Sequence, residues 1–240
     1  MQWIIVTGDS GGLGSSIANK ILEDGRYGVI GISRKENDIV RRLSEEFSNY
    51  RHLNYDLNDV EGIKELYKTH IKPIGALYGL VNNSAMAYDD IVTNANAGRL
   101  SSMFNINVLS AIMLTKYAIR DMLLHNVKGS VVHISSVSAH TGYKGLSMYA
   151  ATKGAMEAFS KNVAREWGIK GIRSNVVAPG FMETNISAKL TDEQRTKIYQ
   201  RTSLKKATDI DSVAKTVYFL LSNESQSLTA SVINVDNGTI

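Results

Sequence analysis

Short apolar runs rich in β-branched residues recur along the chain, separated by longer stretches with apolar residues at helical spacing. The runs predict strands at 3–8 (WIIVTG), 28–33 (GVIGIS), 52–57 (HLNYDL), 77–83 (LYGLVNN), 130–136 (SVVHISS), 172–179 (IRSNVVAP) and 231–236 (SVINVD). Between them, sets such as Leu13-Ile17-Ile21 and Leu114-Ala118-Met122 put apolar side chains on one face of a helix. Strands that are apolar throughout, rather than alternating, are buried on both faces, and the intervening helices supply the cover. The pattern predicts an α/β fold: one doubly wound domain over 1–240, its seven-stranded, mostly parallel sheet flanked by helices on both faces. Residues 181–208 break the alternation and read as a helical insertion, a candidate substrate lid.

Composition narrows the function classes. The chain has 240 residues, 43% hydrophobic and 21% charged, enough to bury a substantial core. It contains no Cys, which excludes disulfides, thiolate metal sites and Cys nucleophiles, and fits a reducing compartment. No apolar run approaches the roughly 20 residues needed to span a bilayer. MQWIIVTGDS carries no basic leader, so a cytoplasmic protein without membrane association is expected. The net charge is +4, but basic residues come in pairs with acids interleaved, which predicts a solvated surface rather than a nucleic-acid groove. An acidic small molecule or acidic carrier stays open as a partner. The five His show no HxH or HExxH spacing, so no metal site is expected.

The first strand runs into TGDSGGLG, residues 7–14, and then into an amphipathic helix. Glycines at 8, 12 and 14 permit a tight turn and a close approach of backbone to a pyrophosphate, with the positive helix end facing that anion. Thr7, Gly8, Ser10, Gly12, Leu13 and Gly14 are the candidate cofactor contacts of this turn, the alternative being a βα turn that binds nothing. About twenty residues on stands Ser33-Arg34-Lys35. A carboxylate there would accept from the ribose 2′-OH of NAD, whereas Arg accommodates the 2′-phosphate of NADP, so NADP(H) is favoured over NAD(H). Asp56, followed by Leu57, either accepts from the adenine amino group or caps the next helix. Asn82, opening NNSA, faces the ligand crevice, ties strands together, or does both.

The fifth strand ends in HISS, and thirteen residues after Ser136 comes Tyr149, with Lys153 one helical turn later on the same face. A Tyr-x-x-x-Lys pair alone arises about once by chance in a chain of this composition. Asn107, in FNINVLS, precedes them. Together TGDSGGLG, NNSA, Asn107, Ser136, YAATK and the APG of 178–180 resemble, in order and spacing, the short-chain dehydrogenase/reductase family, over essentially the whole chain. NVVAPGFMETNIS and LTDEQR look most like its bacterial 3-oxoacyl-(acyl-carrier-protein) reductase branch.

The resemblance implies a Rossmann-like fold and hydride transfer between nicotinamide and a carbonyl carbon. It makes Tyr149 the proton donor or acceptor, with a phenol shifted down about three units to operate near neutrality. Lys153 would supply the charge behind that shift and bind the nicotinamide ribose; Ser136 would hold the substrate oxygen and Asn107 a water. Pro179, Gly180 and Thr184 would line the nicotinamide end, Thr184 at the carboxamide. Relatives also assemble as homo-tetramers or dimers through two long helices, here about 99–124 and 147–168, with Ala151, Ala155, Ala158 and Phe159 at the contact or simply buried in the monomer. His140 and Tyr143 either line a substrate pocket or lie in a surface loop. The chain departs from the family pattern at Gly11, Ser84-Ala85, Ser130 and Asn237. A sugar, nucleotide sugar or polyol is the alternative substrate, and a non-catalytic NADP-binding module the alternative class.

Overall fold

The computed structural model describes residues 1–184 and 190–239. Seven strands form one sheet: β1 (Gln2–Thr7), β2 (Tyr27–Ser33), β3 (Tyr50–Asn54), β4 (Leu77–Asn82), β5 (Ser130–Ile134), β6 (Arg173–Pro179) and β7 (Val232–Val235). Their order is β3-β2-β1-β4-β5-β6-β7, and every pairing is parallel. The order reverses between β1 and β4, which opens a crevice at the carboxyl ends of these strands, the place where such sheets bind ligands.

Helices α1 (Gly12–Asp24), α2 (Asp38–Glu46), α3 (Ile63–Leu66), α4 (Ala97–Phe104), α5 (Ser110–Leu124), α6 (Ser147–Trp167), α7 (Asp192–Tyr199) and α8 (Ile210–Leu221) connect or flank the strands. Apolar side chains leave the central strands on both faces, so the core is two layers. Ile4, Val6 and Val29 pack with Ile17 and Ile21 of α1 and Val213 and Val217 of α8 on one side. Ile5, Ile30 and Leu80 pack with Leu114, Ala118 and Met122 of α5 and Val163 of α6 on the other. This two-sided burial is why the strands read as apolar runs.

Local signals end the elements where the chemistry requires. Gly25 closes α1 in the left-handed region (φ 74°). Asn37 starts α2 by accepting from the Val40 amide at 3.1 Å, and Asp209 caps α8 in the same manner. Six of the seven strands begin and end within two residues of the prediction. β3 instead covers Tyr50–Asn54 rather than 52–57, because Asp56 turns the chain through its own side chain, Oδ1 accepting from the Asn58 amide at 3.0 Å. In the 181–208 segment α7 is helical, opened by a Thr191–Gln194 capping box, while 185–189 lie outside the described residues. Among the described residues no helix is long and apolar enough to cross a membrane.

Candidate active site

The crevice is built first at the glycine turn. Gly8 has φ 74°, and a Cβ on Gly14 would stand 2.1 Å from the Gly8 carbonyl oxygen, so both must be glycine for the chain to fold back tightly. Gly12 is different: a Cβ there meets only Ile210 Cδ1 at 3.7 Å. Thr7 Oγ1 accepts from the Asn83 and Ser84 amides, both at 2.9 Å, and Asn83 Nδ2 donates to the Thr7 carbonyl at 2.8 Å. These bonds sew β1 to the NNSA turn across the switch point. Asn37 Nδ2 donates to the Ser10 carbonyl at 3.0 Å and anchors the turn's far side. Leu13 is in the core beneath α1, so it can offer a ligand only its backbone.

At the end of β2, Ser33 is buried and donates to the Lys35 carbonyl at 3.3 Å, while Arg34 is exposed with no hydrogen bond or ion pair among the described residues. Asp56 is exposed and serves its own turn, so it caps no helix. Leu57 is buried and reaches under the crevice. Asn82 ties strands: its Nδ2 donates to Thr115 Oγ1 and His133 Nδ1, both at 3.1 Å, and its buried Oδ1 has no partner. Gly180 follows β6 with its amide on the Val235 carbonyl at 3.0 Å; a Cβ would fall 2.6 Å from Thr208 Oγ1. Thr184, just beyond, is half-buried at the edge of the described chain.

Tyr149 and Lys153 lie one turn apart in α6, the Lys153 Nζ 5.4 Å from the Tyr149 ring centroid. Lys153 is buried and donates to the Ile134 carbonyl at 2.7 Å, at the end of β5; burial brings its pKa down to about 8. Tyr149 packs against Tyr88, Met103 and Met148. Burial, and then the negative charge of Asp89, push its phenol above the ordinary value. Both influences oppose the downward shift that the resemblance implies.

Asn107 sits in a π-helical turn, Asn105–Leu109, between α4 and α5, a break that aims its side chain inward. Its Oδ1 accepts from the Met86 amide at 2.7 Å, and its Nδ2 donates to the Met86 carbonyl at 2.9 Å and Thr152 Oγ1 at 3.0 Å. Thr152 in turn donates to the Tyr149 carbonyl at 2.7 Å, so Asn107 clamps the loop after β4 to the helix carrying Tyr149. Ser136 stands at the start of a short turn, its hydroxyl oxygen accepting from the Ser138 amide at 3.2 Å, which leaves the hydroxyl proton available. A small cavity of about 10 Å³, room for one water, is lined by Thr7, Asn82, Asn107, Ser110 and Lys153. It joins the glycine turn to the Lys153 ammonium.

The structure also places residues that the sequence left open. His140 is exposed and contacts Glu157 Oε2 through Nε2 at 2.8 Å, and Glu157 Oε1 accepts from Ser135 at 2.6 Å, which links His140 to the end of β5. Tyr143 lies beside Arg201, whose guanidinium is 5.7 Å from its ring centroid. On α6, Ala155 and Phe159 pack against Val108 and Ala111, whereas Ala151 and Ala158 are exposed. No metal-binding cluster occurs among the described residues. Sequence reasoning passed over Thr152, Asp89 and Glu157; only the Asp of the glycine turn, Asp9, carried a visible signal, a charged residue where the turn is otherwise small.

The family described as enoyl-(acyl carrier protein) reductase matches residues 8–239. The chain is 31% identical to a 3-oxoacyl-[acyl-carrier-protein] reductase, FabG, of Buchnera aphidicola subsp. Acyrthosiphon pisum, over 99% of this chain and 96% of that protein. A solved short chain dehydrogenase/reductase family protein superposes with a TM-score of 0.89 at 26% identity, covering 99% of this chain and 96% of the other. The chain belongs to the short-chain dehydrogenase/reductase family. It is an oxidoreductase of that family. Another solved relative, ElxO with NADP bound, is 28% identical, with a TM-score of 0.89 over 98% of this chain and 97% of that one. The glycine turn, Arg34, which has no hydrogen bond or ion pair among the described residues, and the cavity behind Lys153 fit a nicotinamide dinucleotide.

Proposed function

We propose that the protein is an NADP(H)-dependent reductase of a carbonyl, or dehydrogenase of a secondary alcohol, in which Tyr149 exchanges the proton. The observation that carries this reading is the buried Lys153 ammonium beside the Tyr149 ring, connected by a water-sized cavity to the glycine turn. The dinucleotide supplies or accepts the hydride; the remaining work falls to the chain.

In the reducing direction the carbonyl oxygen gains charge and needs a proton. Tyr149, its phenol raised by burial, is protonated at neutrality and so ready to donate. The Ser136 hydroxyl, its oxygen already engaged by Ser138, points its proton to that oxygen as a preorganised donor. The Lys153 charge stabilises the phenolate left behind. Asn107 holds the loop and α6 in register and seats a water in the cavity through which the proton is restored.

Reduction therefore requires Lys153 charged. Its pKa is depressed, so the ammonium is present below about 8 and lost above it. A plot of kcat/KM for reduction against pH is expected to stay level at neutrality and fall by about tenfold per unit in the alkaline range, reporting the free enzyme. A level profile to pH 10 would remove Lys153 from this role.

Arg34 supports NADP(H) as the favoured dinucleotide, since an exposed guanidinium at the end of β2, unpaired among the described residues, matches a 2′-phosphate. Arg34→Ala is expected to weaken NADPH about tenfold or more while changing NADH little, one charge-assisted contact being lost. Equal losses for both dinucleotides, measured by direct titration, would overturn the preference.

The substrate class follows the 3-oxoacyl thioester relatives first. A second reading, a sugar or polyol, is favoured by Asp89, an acid close enough to influence Tyr149 and suited to accept from a substrate hydroxyl. Rates with acetoacetyl thioesters and keto-sugars, followed at the NADPH absorbance, separate the two. Exposed Ala151 and Ala158 on α6 support homo-oligomer contact through that helix, which sedimentation tests directly.

A further inference from the structure

Asp9, the third residue of TGDSGGLG, is fully buried. Its side chain crosses over β2 at Gly31, where a Cβ would stand 1.8 Å from Oδ2, and reaches β3. There Oδ2 accepts from the Tyr50 hydroxyl at 2.5 Å and meets His52 Nδ1 at 2.7 Å. The other oxygen, Oδ1, is buried with no partner. A carboxylate from the glycine turn thus reaches the third strand, two strands away from its own.

The His52 ring shows which state compensates it. Nδ1 faces the carboxylate, and Nε2 lies 3.0 Å from Asn54 Oδ1. Nδ1 carries hydrogen toward the carboxylate, and with Asn54 Oδ1 at Nε2 this arrangement matches the imidazolium, whose two nitrogens both donate. Tyr50 is held in its neutral, donating form: burial, then the Asp9 charge, push its phenol up. The groups facing the imidazole are Asp9 from the turn after β1, Tyr50 and Asn54 from β3 itself, and the Glu36 charge from the stretch between β2 and α2. Gly31 of β2 adds none.

We propose that Asp9 and His52 form a buried charge pair that sets how dinucleotide affinity depends on pH, an inference resting on the dinucleotide reading of the glycine turn above. With His52 protonated the pair is neutral, and the α1 N-terminus presents its full positive end to phosphate. With His52 neutral, Asp9 leaves an uncompensated negative charge beneath an anion site, where the interior screens it poorly. Burial works against the imidazolium, but the Asp9 bond and charge outweigh it and hold the His52 pKa above its ordinary 6.5. Affinity is therefore complete on the acid side and lost as pH rises through that raised value. NADPH, with two further charges near Ser33, is affected more than NADH.

The test is direct titration of NADPH and NADH from pH 6 to 9, without substrate, on the whole protein and on His52→Gln and the neutral pair Asp9→Asn/His52→Gln. The 2′-phosphate of NADPH itself ionises near pH 6, so each variant is compared with the parent at every pH. The parent is expected to lose about fivefold in affinity over this range beyond the neutral pair, the low end of ordinary coupling between sites. His52→Gln, with Asp9 uncompensated, is expected to bind weakly throughout, and the neutral pair tightly throughout. Parallel pH slopes for the parent and the neutral pair, with dinucleotide still bound, would overturn the charge pair and leave the cofactor reading standing. No binding of either dinucleotide by any form would overturn both.

Discussion

Tyr149→Phe is expected to lower kcat by about three orders of magnitude, within the 10²–10⁴ that a positioned acid contributes. The substitution is unusually clean. The ring packs against Tyr88, Met103 and Met148, contacts that Phe retains. The hydroxyl makes no hydrogen bond among the described residues, so its loss orphans no buried partner and thermal stability should hold. NADPH affinity should change far less than kcat, which places the loss on the chemical step. Activity surviving in the purified variant would remove Tyr149 as the acid whatever the substrate, and would bring back the non-catalytic module.

The second large effect concerns the backbone. Gly14→Ala forces a methyl to 2.1 Å from the Gly8 carbonyl oxygen, 2.6 Å from its carbon and 2.7 Å from Asn83 Nδ2. Two of these neighbours are main chain, so relief requires moving the turn, and overpacking at such a site costs about 3 kcal/mol. For a chain of this size that is a fall of roughly 6–12 °C in Tm. Moving Gly8 also loosens the Thr7–Asn83 stitch, so NADPH titration should show binding lost together with stability. Gly12→Ala is the control: its nearest neighbour is a flexible Ile210 methyl at 3.7 Å, and stability should be nearly unchanged. Comparable thermal losses in the two variants would contradict the asymmetry of this turn.

Much of the site was legible because its signals are short in range. Tyr149 and Lys153 share a helix face by spacing alone, and the glycine turn declares itself between a strand and a helix. The parts that were not legible depend on partners far along the chain. Asn82 reads as a ligand contact or a strand tie, and only the presence of Thr115 and His133 beside it shows the tie. Asp56 caps no helix, because β3 ends at Asn54 and the chain turns early through the Asp56 side chain. The burial of Tyr149 and the Asp89 charge beside it were also hidden, since desolvation is a property of the packed interior.

By itself the sequence determined the alternation of strands and helices, the two-sided burial of the sheet and the turn at 7–14, all consequences of local periodicity and of glycine's freedom. Strand order, the clamp from Asn107 to Thr152, the carbonyl that holds Lys153, and the reach of Asp9 across Gly31 to His52 were decided only by tertiary structure. These contacts join residues 19 to 45 positions apart, and their strength comes from burial, which no local pattern of side chains specifies.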